Sequence, residues 1–217
     1  MKIAVIGSTG LVGNATVQEL AARGHEVTAL ARSPKKVFQN PNVTAVKADV
    51  NDADFAEKLA GFDAVISAFN GGWENPNIVA DINKGYDSIL AAAKTAQVPY
   101  LLVVGGAGSL NVAPNLALVD THDFPAEVFP AANAMRVLLD NLRERRDVNW
   151  SFMSPAAMFA VAEVQFEKTG TYRVGADDVL LNADGSPADI ALPDLAAALV
   201  DDVEKKAHLF QRFTVAN

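Results

Sequence analysis

The stretch that decides the fold is KIAVIGSTGLVGNATVQELAARGHEVTALA, residues 2–31. A short apolar run leads straight into three glycines, Gly7, Gly10 and Gly13, which open a helical pattern that stops before a second apolar run. This is the order of a strand, a glycine turn, a helix and a second, parallel strand. In such a unit the turn and the helix N-terminus direct backbone N–H groups at the crevice where the phosphates of a dinucleotide bind.

The glycine spacing is G-x-x-G-x-x-G, and each glycine has its own expected part. Gly7 makes the tight turn, Gly10 lets the backbone approach a pyrophosphate, and Gly13 lets the helix pack closely on the strand. The alternative is a tight turn in an unliganded α/β domain, but the strand before the loop and the helix after it favour the nucleotide. The residues expected to form the cradle are Gly7, Ser8, Thr9, Gly10, Leu11, Val12 and Gly13.

The alternation of strand and helix patterns continues along the chain. Most of the strand patterns are continuously apolar, which is typical of parallel strands that are covered on both faces. The expected strands are residues 3–6, 26–31, 43–47, 64–68, 100–104 and 150–153. The expected helices are residues 14–23, 53–59, 77–96 and 131–146. The repetition predicts an α/β fold with a doubly wound, mostly parallel sheet and helices on both faces.

The rhythm changes after about residue 155, where the remaining strand and helix patterns are mostly shorter. Neither a low-complexity linker nor a repeat divides the chain, so we expect a single domain, residues 1–217. Residues from about 155 to 217 are expected to add a small C-terminal lobe on the substrate side. Residues 106–128 form a long connection rich in Asn, Pro and Asp, and connections of this length are usually functional lids or disordered segments.

The composition excludes several classes of protein. The chain has 217 residues, a net charge of -8 and no cysteine, which excludes a concentrated basic face for nucleic acid, disulfides and thiolate metal sites. No apolar span approaches the roughly 20 residues of a membrane helix, and the first residues do not resemble a signal peptide. We therefore expect a cytoplasmic monomer or homodimer that binds small molecules, without nucleic acid or membrane as a partner.

The end of the second strand indicates which nicotinamide cofactor binds. An acidic residue there would accept a hydrogen bond from the ribose 2′-hydroxyl and repel a 2′-phosphate, but the chain has Arg32, Ser33 and Lys36. Arginine pairs with phosphate and stacks on adenine, serine donates a hydrogen bond, and lysine adds positive charge. These residues favour NADP(H) over NAD(H), with a solvated basic turn as the alternative.

Further cofactor contacts are expected where the other parallel strands end. Asp49 and Val50 follow the third strand and lie where the adenine edge would be, whereas residues 67–69 would run beneath the adenosine ribose. The segment at Pro155 would wall the nicotinamide. The full set of these positions is Asp49, Val50, Ser67, Ala68, Phe69, Gly105, Gly106 and Pro155.

With these residues in place, the chain resembles the NmrA-like, NAD(P)H-binding branch of the atypical short-chain dehydrogenase/reductases. More narrowly, it resembles bacterial proteins provisionally called NADH-flavin reductases, relatives of biliverdin IXβ reductase. The segments that carry the resemblance are IAVIGSTGLVG (3–13), ALARSPKKV (29–37), KADVND (47–52), DAVISAFNGG (63–72), LLVVGGAGSL (101–110), NWSFMSPAAMF (149–159), TGTYRVGADDVLLNADGSP (169–187) and HLFQRFTVAN (208–217). The resemblance implies a Rossmann-type sheet of order 3-2-1-4-5-6-7, NADP(H) in the crevice and hydride transfer to a flavin, a quinone or a similar flat acceptor, with flavin as a substrate.

The wider superfamily reduces carbonyls with a Tyr-x-x-x-Lys pair, in which the tyrosine protonates the developing alkoxide. The matching stretch, residues 129–136, reads FPAANAMR, and none of the three tyrosines has a lysine four residues on. A flavin-like acceptor tolerates this absence, because its ring delocalises the charge and water can supply the proton. A non-catalytic NADP(H)-binding redox sensor is the alternative function, and an epimerase- or dehydratase-like enzyme is a weaker one.

Ser109 is the expected catalytic residue, because it lies in the region of the superfamily's catalytic serine and its hydroxyl can donate to an acceptor carbonyl. The alternative for Ser109 is an ordinary turn serine. The residues expected to touch the substrate are Trp73, His122, Met158 and Phe159, with loop anchoring or core packing as alternatives. We expect no metal site, because the spacing around His122 matches no zinc pattern.

Overall fold

A computed structural model describes residues 1–161 and 163–217. The strands are β1 (Lys2–Ile6), β2 (Glu26–Ala31), β3 (Val43–Lys47), β4 (Ala64–Ser67), β5 (Leu101–Val104), β6 (Asn111–Ala113), β7 (Leu116–Ala117), β8 (Trp150–Ser154), β9 (Arg173–Gly175) and β10 (Arg212–Ala216). The α-helices are α1 (Leu11–Ala22), α2 (Ile78–Thr95), α3 (Phe129–Arg143) and α4 (Leu192–Lys205). No helix of the described residues is long and apolar enough to cross a membrane.

Eight strands form one sheet in the order β3-β2-β1-β4-β5-β8-β10-β9. Neighbouring strands are parallel, except that β9 pairs antiparallel with β10 at the edge. The α/β fold with a mostly parallel sheet is therefore confirmed. With β8 and β10 as the sixth and seventh strands, the order also agrees with the one that the resemblance implies.

Two apolar cores lie on the two faces of the sheet, which explains why its central strands are mostly apolar. Val5 and Leu102 face the core that contains residues of α1 and α4. Val65 and Leu101 face the opposite core, which contains residues of α2 and α3. Successive strand residues point to opposite faces, so both faces of a fully covered strand must be apolar.

The helix predicted at residues 53–59 is reduced to a 3₁₀ turn, Glu57–Leu59. Only Phe55 and Leu59 are buried there, and Asp54 pairs with the exposed amino group of Lys58 at 2.8 Å. Two apolar anchors do not make an amphipathic face of several turns, so most of the stability of a longer helix is missing.

The two segments with the least regular sequence have defined places. Residues 106–128 contain a small antiparallel hairpin of β6 and β7, which also meets the chain beyond β9 through the hydrogen bond from Asn111 N to Asp177 O, 2.8 Å. In the C-terminal third, β10 joins the main sheet and α4 packs beside α1. β9 forms the edge strand of the sheet on this side, next to β10.

Candidate cofactor and substrate site

The carboxyl ends of the central strands meet at one edge of the sheet. β1 ends at Ile6, which lies opposite Leu30 of β2 and Ser67 of β4, while Val104 of β5 lies opposite Met153 of β8. The segments that follow these strands therefore lie side by side, as at the switch point of a doubly wound sheet. The expected site residues that follow the strands at this edge include Gly7, Arg32, Asp49, Ala68, Gly105 and Pro155.

Two of the three loop glycines are explained by packing within the protein. Gly7 has φ +73°, a left-handed backbone that side chains disfavour, and a Cβ there would clash with the backbone oxygen of Ala68. A Cβ at Gly13 would clash with the backbone oxygen of Gly7. Gly13 thus lets α1 lie directly against the turn, so the fold itself demands both residues.

Gly10 has no such explanation. Its φ is -77°, which any residue adopts, and the one neighbour of an added Cβ would be the Gly7 oxygen at an ordinary 3.4 Å. The helix begins at the next residue with no side-chain cap and no acidic residue in its first turn, which leaves its N–H groups for a ligand. A Cβ at Gly10 would occupy the space in front of those groups, so the loop fits the phosphates of a dinucleotide.

The other loop residues divide into two whose side chains pack within the protein, Ser8 and Val12, and two whose side chains are exposed, Thr9 and Leu11. Ser8 is fully buried, and its hydroxyl donates to the Leu30 oxygen at 3.0 Å, so it ties the loop to β2. Its side chain is therefore committed to the protein, as is its backbone N–H, which donates to the same Leu30 oxygen at 3.4 Å. Thr9 and Leu11 are exposed and Val12 is half-buried.

The basic residues after β2 are exposed and available. Arg32 and Ser33 precede a 3₁₀ turn, Pro34–Lys36, and their side chains and that of Lys36 point into solvent. Within the described residues, the Arg32 guanidinium makes neither a hydrogen bond nor an ion pair. A guanidinium without a protein partner beside the cradle is suited to a phosphate that the protein does not itself supply.

The segment after β4 is held from behind by α2. The Tyr86 hydroxyl donates to the Phe69 oxygen at 3.2 Å, and the two rings meet edge to face at 5.7 Å. Phe69 also lies against Gly85, where a Cβ would clash with its ring. The Phe69 side chain therefore belongs to the core, and the ligand side of this segment is its backbone.

The remaining predicted contacts at the adenosine end are partly committed. Ser67 and Val50 are buried, and the Ser67 hydroxyl lies beside that of Tyr86. Asp49 is half-buried and its carboxylate accepts from the Asn51 backbone N–H at 2.9 Å. Asp49 therefore orders the turn after β3 and can offer its second oxygen to a base edge.

Two glycines follow β5 near the other end of this edge. As in the glycine loop, packing within the protein requires one of them and not the other. A Cβ at Gly105 would clash with the Phe152 ring, whereas a Cβ at Gly106 would meet no atom within 4 Å. Gly106 therefore borders open space. Pro155 is buried and Phe159 packs against the core beside α1, but Met158 is 37% exposed and remains available to a ligand.

Ser109 lies beside this open space, and it has a partner that sequence reasoning missed. Its Oγ accepts a hydrogen bond from Nη1 of Arg212, 3.2 Å away. Arg212 begins β10, its guanidinium is buried, and it pairs with Asp177 at 2.6 Å. The sequence could have indicated this partner, because Arg212 begins a strand, RFTVA, whose other residues are mostly apolar. An arginine in such a strand needs a partner when it is buried.

The three tyrosines are all committed elsewhere. Tyr86 is buried behind Phe69, and Tyr100 donates to the buried Asp202 at 2.7 Å. Tyr172 donates to Asp201 at 2.6 Å. Burial raises the pKa of each hydroxyl, and for Tyr100 and Tyr172 the neighbouring carboxylate raises it further. None of these hydroxyls is therefore an acid poised at neutral pH.

Two of the expected substrate residues are strongly exposed. Trp73 is 68% exposed, and the His122 side chain is fully exposed beside Asp123, 3.1 Å away. Neither lines the cleft of about 400 Å³ that residues 119–129 form at the start of α3. In the described part of the chain, no three His, Asp or Glu side chains lie close enough together to hold a metal ion.

A groove of about 600 Å³ extends from the glycine loop along α1. Its walls include two aromatic residues, Phe38 and Phe166, that the sequence interpretation did not single out. The ring of Phe166 is 68% exposed although it stands beside the cradle. The residues that line the groove include Thr9, Gly10, Leu11, Phe38, Phe166 and Pro193.

Comparison with known proteins gives a family and close structural relatives. Residues 7–205 match the protein family described as NAD(P)H-binding. A Bacteroides thetaiotaomicron protein provisionally named an epimerase is 39% identical, with a TM-score of 0.88, over 99% of this chain and 96% of its own. A Streptococcus pneumoniae protein provisionally named an NADH-flavin reductase is 37% identical, with a TM-score of 0.86, over 100% of this chain and 99% of its own. A Burkholderia pseudomallei protein provisionally named as exported is 36% identical, with a TM-score of 0.85, over 100% of both chains.

Proposed function

The chain belongs to the NAD(P)H-binding family, as its resemblance predicted, and we propose that it is an NADPH-dependent reductase of flat conjugated acceptors such as flavins and quinones. One observation carries the choice of acceptor: the open edge at Gly106 and Ser109 is reached by none of the three tyrosine hydroxyls. A simple carbonyl needs an acid for its alkoxide, whereas a conjugated ring spreads the charge that it receives.

The residues divide the work between binding and positioning. The N-terminus of α1 and the bare backbone at Gly10 would hold the pyrophosphate of NADPH, and Arg32 would pair with the 2′-phosphate. When bound, the cofactor supplies a hydride. The acceptor gains that hydride with its two electrons, and one proton from water completes the reduction. The strand ends at Gly106 and Pro155 hold the reactants in contact and exclude water, which is the main catalytic contribution of the protein.

Turnover of purified protein tests the reductase. Loss of the NADPH absorbance should follow the addition of riboflavin, FMN or a quinone, and the rate should saturate with each. If NADPH binds but no member of a broad acceptor panel is reduced, the reductase proposal is wrong.

Arg32→Asp tests the choice of NADPH over NADH. The substitution removes the partner of the 2′-phosphate and adds a like charge, so NADPH binding should weaken by about 2–5 kcal/mol while NADH binding is unchanged. Lys84→Asp, at an exposed position of α2, changes the net charge equally and should leave both affinities as they were. Equal NADPH binding by wild type and Arg32→Asp would remove the cofactor assignment.

A redox sensor that binds NADP(H) without turnover is the second candidate. It is favoured by the exposed Phe166 ring beside the cradle, which a partner protein could cover. The sensor predicts that a partner is retained with only one redox form of the cofactor. An epimerase, as the Bacteroides relative is named, would require turnover of a nucleotide-sugar by a residue other than tyrosine.

The cytoplasm is part of the same proposal, although the name of the Burkholderia relative points to export. Fractionation of cells that express the tagged chain separates the two. Recovery outside the cytoplasm would overturn this part of the proposal and leave the reductase chemistry untouched.

A further inference from the structure

Arg212 is a buried cation at the substrate end of the site. Its side chain is only 2% exposed. Nε and Nη2 donate to the same Asp177 carboxylate oxygen at 2.9 and 2.6 Å, and Nη2 also donates to the Asp177 backbone oxygen at 3.0 Å. The guanidinium is planar, so these bonds determine where its remaining edge points.

That remaining edge faces two serine hydroxyls. Nη1 donates to Ser109 Oγ at 3.2 Å and makes a longer contact of 3.4 Å with Ser154 Oγ at the end of β8. Burial lowers the pKa of Arg212, but Asp177 opposes this, and arginine starts so far above neutrality that it remains charged. A full positive charge therefore stands behind the Ser109 oxygen.

The direction of this hydrogen bond decides what Ser109 can do. Because its oxygen accepts from Arg212, its own O–H proton is left to donate, and no acceptor for that proton is found among the described residues. A hydroxyl that accepts from a cation is a stronger donor, since hydrogen bonds in a chain polarise one another. Ser109 is half-buried in the 3₁₀ turn, Ala107–Ser109, that follows Gly106, and an added Cβ at Gly106 would meet no atom within 4 Å.

We propose that Arg212, fixed by Asp177, is a positioning residue that makes the Ser109 hydroxyl a donor to a carbonyl oxygen of the acceptor. The inference rests on the proposed reductase function and supplies its acceptor class, a ring that carries a carbonyl conjugated with the atom that receives the hydride. Negative charge reaches that oxygen as the hydride arrives, and the Ser109 hydrogen bond strengthens as it does. No proton leaves Ser109, and water supplies the one proton that the reduced ring takes up.

A double-mutant cycle between Ser109 and Arg212 tests the proposal. Ser109→Ala should lower kcat for riboflavin or a quinone about 10- to 100-fold. Arg212→Lys should lower kcat by nearly the same factor, because a lysine ammonium cannot bond to Asp177 and Ser109 at the same time. The combined variant should be no slower than Ser109→Ala alone, because Arg212 acts through Ser109. Losses that multiply, or an Arg212→Lys enzyme with the wild-type kcat, would overturn the inference while leaving the reductase in place.

The control is Arg173→Lys, which changes an arginine on the neighbouring strand β9 that, among residues 1–161 and 163–217, bonds only to the backbone oxygens of Leu181 and Asn217. Its kcat should equal that of wild type. Urea unfolding and the NADPH affinity of every variant show whether Arg212→Lys merely loosens the fold, in which case NADPH binding would fall along with kcat.

A binding measurement separates this inference from the proposed function. Quenching of riboflavin fluorescence in the presence of NADP⁺ should show about 5- to 10-fold weaker binding for Ser109→Ala, for Arg212→Lys and for the double variant alike. If riboflavin binds with this pattern but is never reduced, the reductase fails and the Ser109–Arg212 coupling stands. If no member of the acceptor panel, riboflavin included, binds or is reduced, both proposals are wrong.

Discussion

Replacing Gly10 by alanine adds one methyl group in front of the N-terminus of α1. The fold can hold that methyl, because its one protein contact would be the Gly7 oxygen at 3.4 Å and φ is -77°. Alanine is a poorer N-cap than glycine, so the free energy of unfolding should fall by only about 0.5–1 kcal/mol. The methyl would keep a phosphate from the N–H groups, and hydrogen bonds to charged groups contribute about 1.5–3 kcal/mol. NADPH binding should therefore weaken about 10- to 150-fold.

Gly13→Ala is the matched substitution in the same loop. Its methyl would meet the Gly7 backbone oxygen, which cannot move without shifting the turn, so the free energy of unfolding should fall by about 1–3 kcal/mol. Calorimetric titration with NADPH and urea unfolding of both variants separate the two effects. If Gly10→Ala binds NADPH as wild type does, no phosphate approaches at Gly10 and the assignment of the cradle is refuted.

Further predictions concern stability away from the cofactor. Asp202→Ala should lower the free energy of unfolding in urea by about 3 kcal/mol. Buried Asp202 accepts hydrogen bonds from Tyr100 at 2.7 Å and from Ser151 at 3.1 Å, and both donors would lose their partner. A variant as stable as wild type would contradict this prediction. Burial alone would raise the pKa of Asp194, but hydrogen bonds from the Thr169 hydroxyl and the nearby backbone N–H groups outweigh it and hold the pKa below 3.8. The stability from this lowered pKa is present above about pH 4 and is lost as the pH falls through the folded-state pKa. Asp194→Asn should therefore be less stable than wild type at neutral pH, and its free energy of unfolding in urea should fall less steeply as the pH is lowered. An unchanged dependence of that free energy on pH would refute the reasoning. Gly24→Ala should lower the free energy of unfolding in urea by about 1 kcal/mol, because φ is +81° and an added Cβ would meet no atom within 4 Å. A loss near zero, or one above about 3 kcal/mol, would mean that the φ angle does not determine the effect.

The elements with strong local signals were predicted well. The strands at residues 26–31 and 43–47 match β2 and β3 residue for residue, because short runs rich in Val, Thr and Ala between turn-forming residues are typical of strands. The predicted helix at residues 53–59 failed where only Phe55 and Leu59 are buried. Its pattern was too short to overcome turn-forming aspartates, which compete with the helix for backbone hydrogen bonds.

The site was only partly predictable for a similar reason. Residue types and the ends of strands placed Gly10 and Arg32 at the correct edge, since parallel strands bring their carboxyl ends together. The same reasoning placed Ser8 and Phe69 among the cofactor contacts without saying which of their atoms face the ligand, and the structure commits both side chains, to Leu30 and to α2. Position along a strand says which edge a residue reaches, whereas the packed neighbours decide where its side chain points.

The sequence by itself determined the strand, glycine turn and helix of residues 2–31, the α/β fold class and the family, because these depend on periodicity and on backbone sterics over a few residues. Only the tertiary structure decided which glycines the fold requires and which are left for a ligand, since that depends on atoms such as the Ala68 oxygen far along the chain. It also brought Arg212 to Ser109 across 103 residues of sequence. A contact over that separation arises from the order of strands in the sheet, which no local pattern contains.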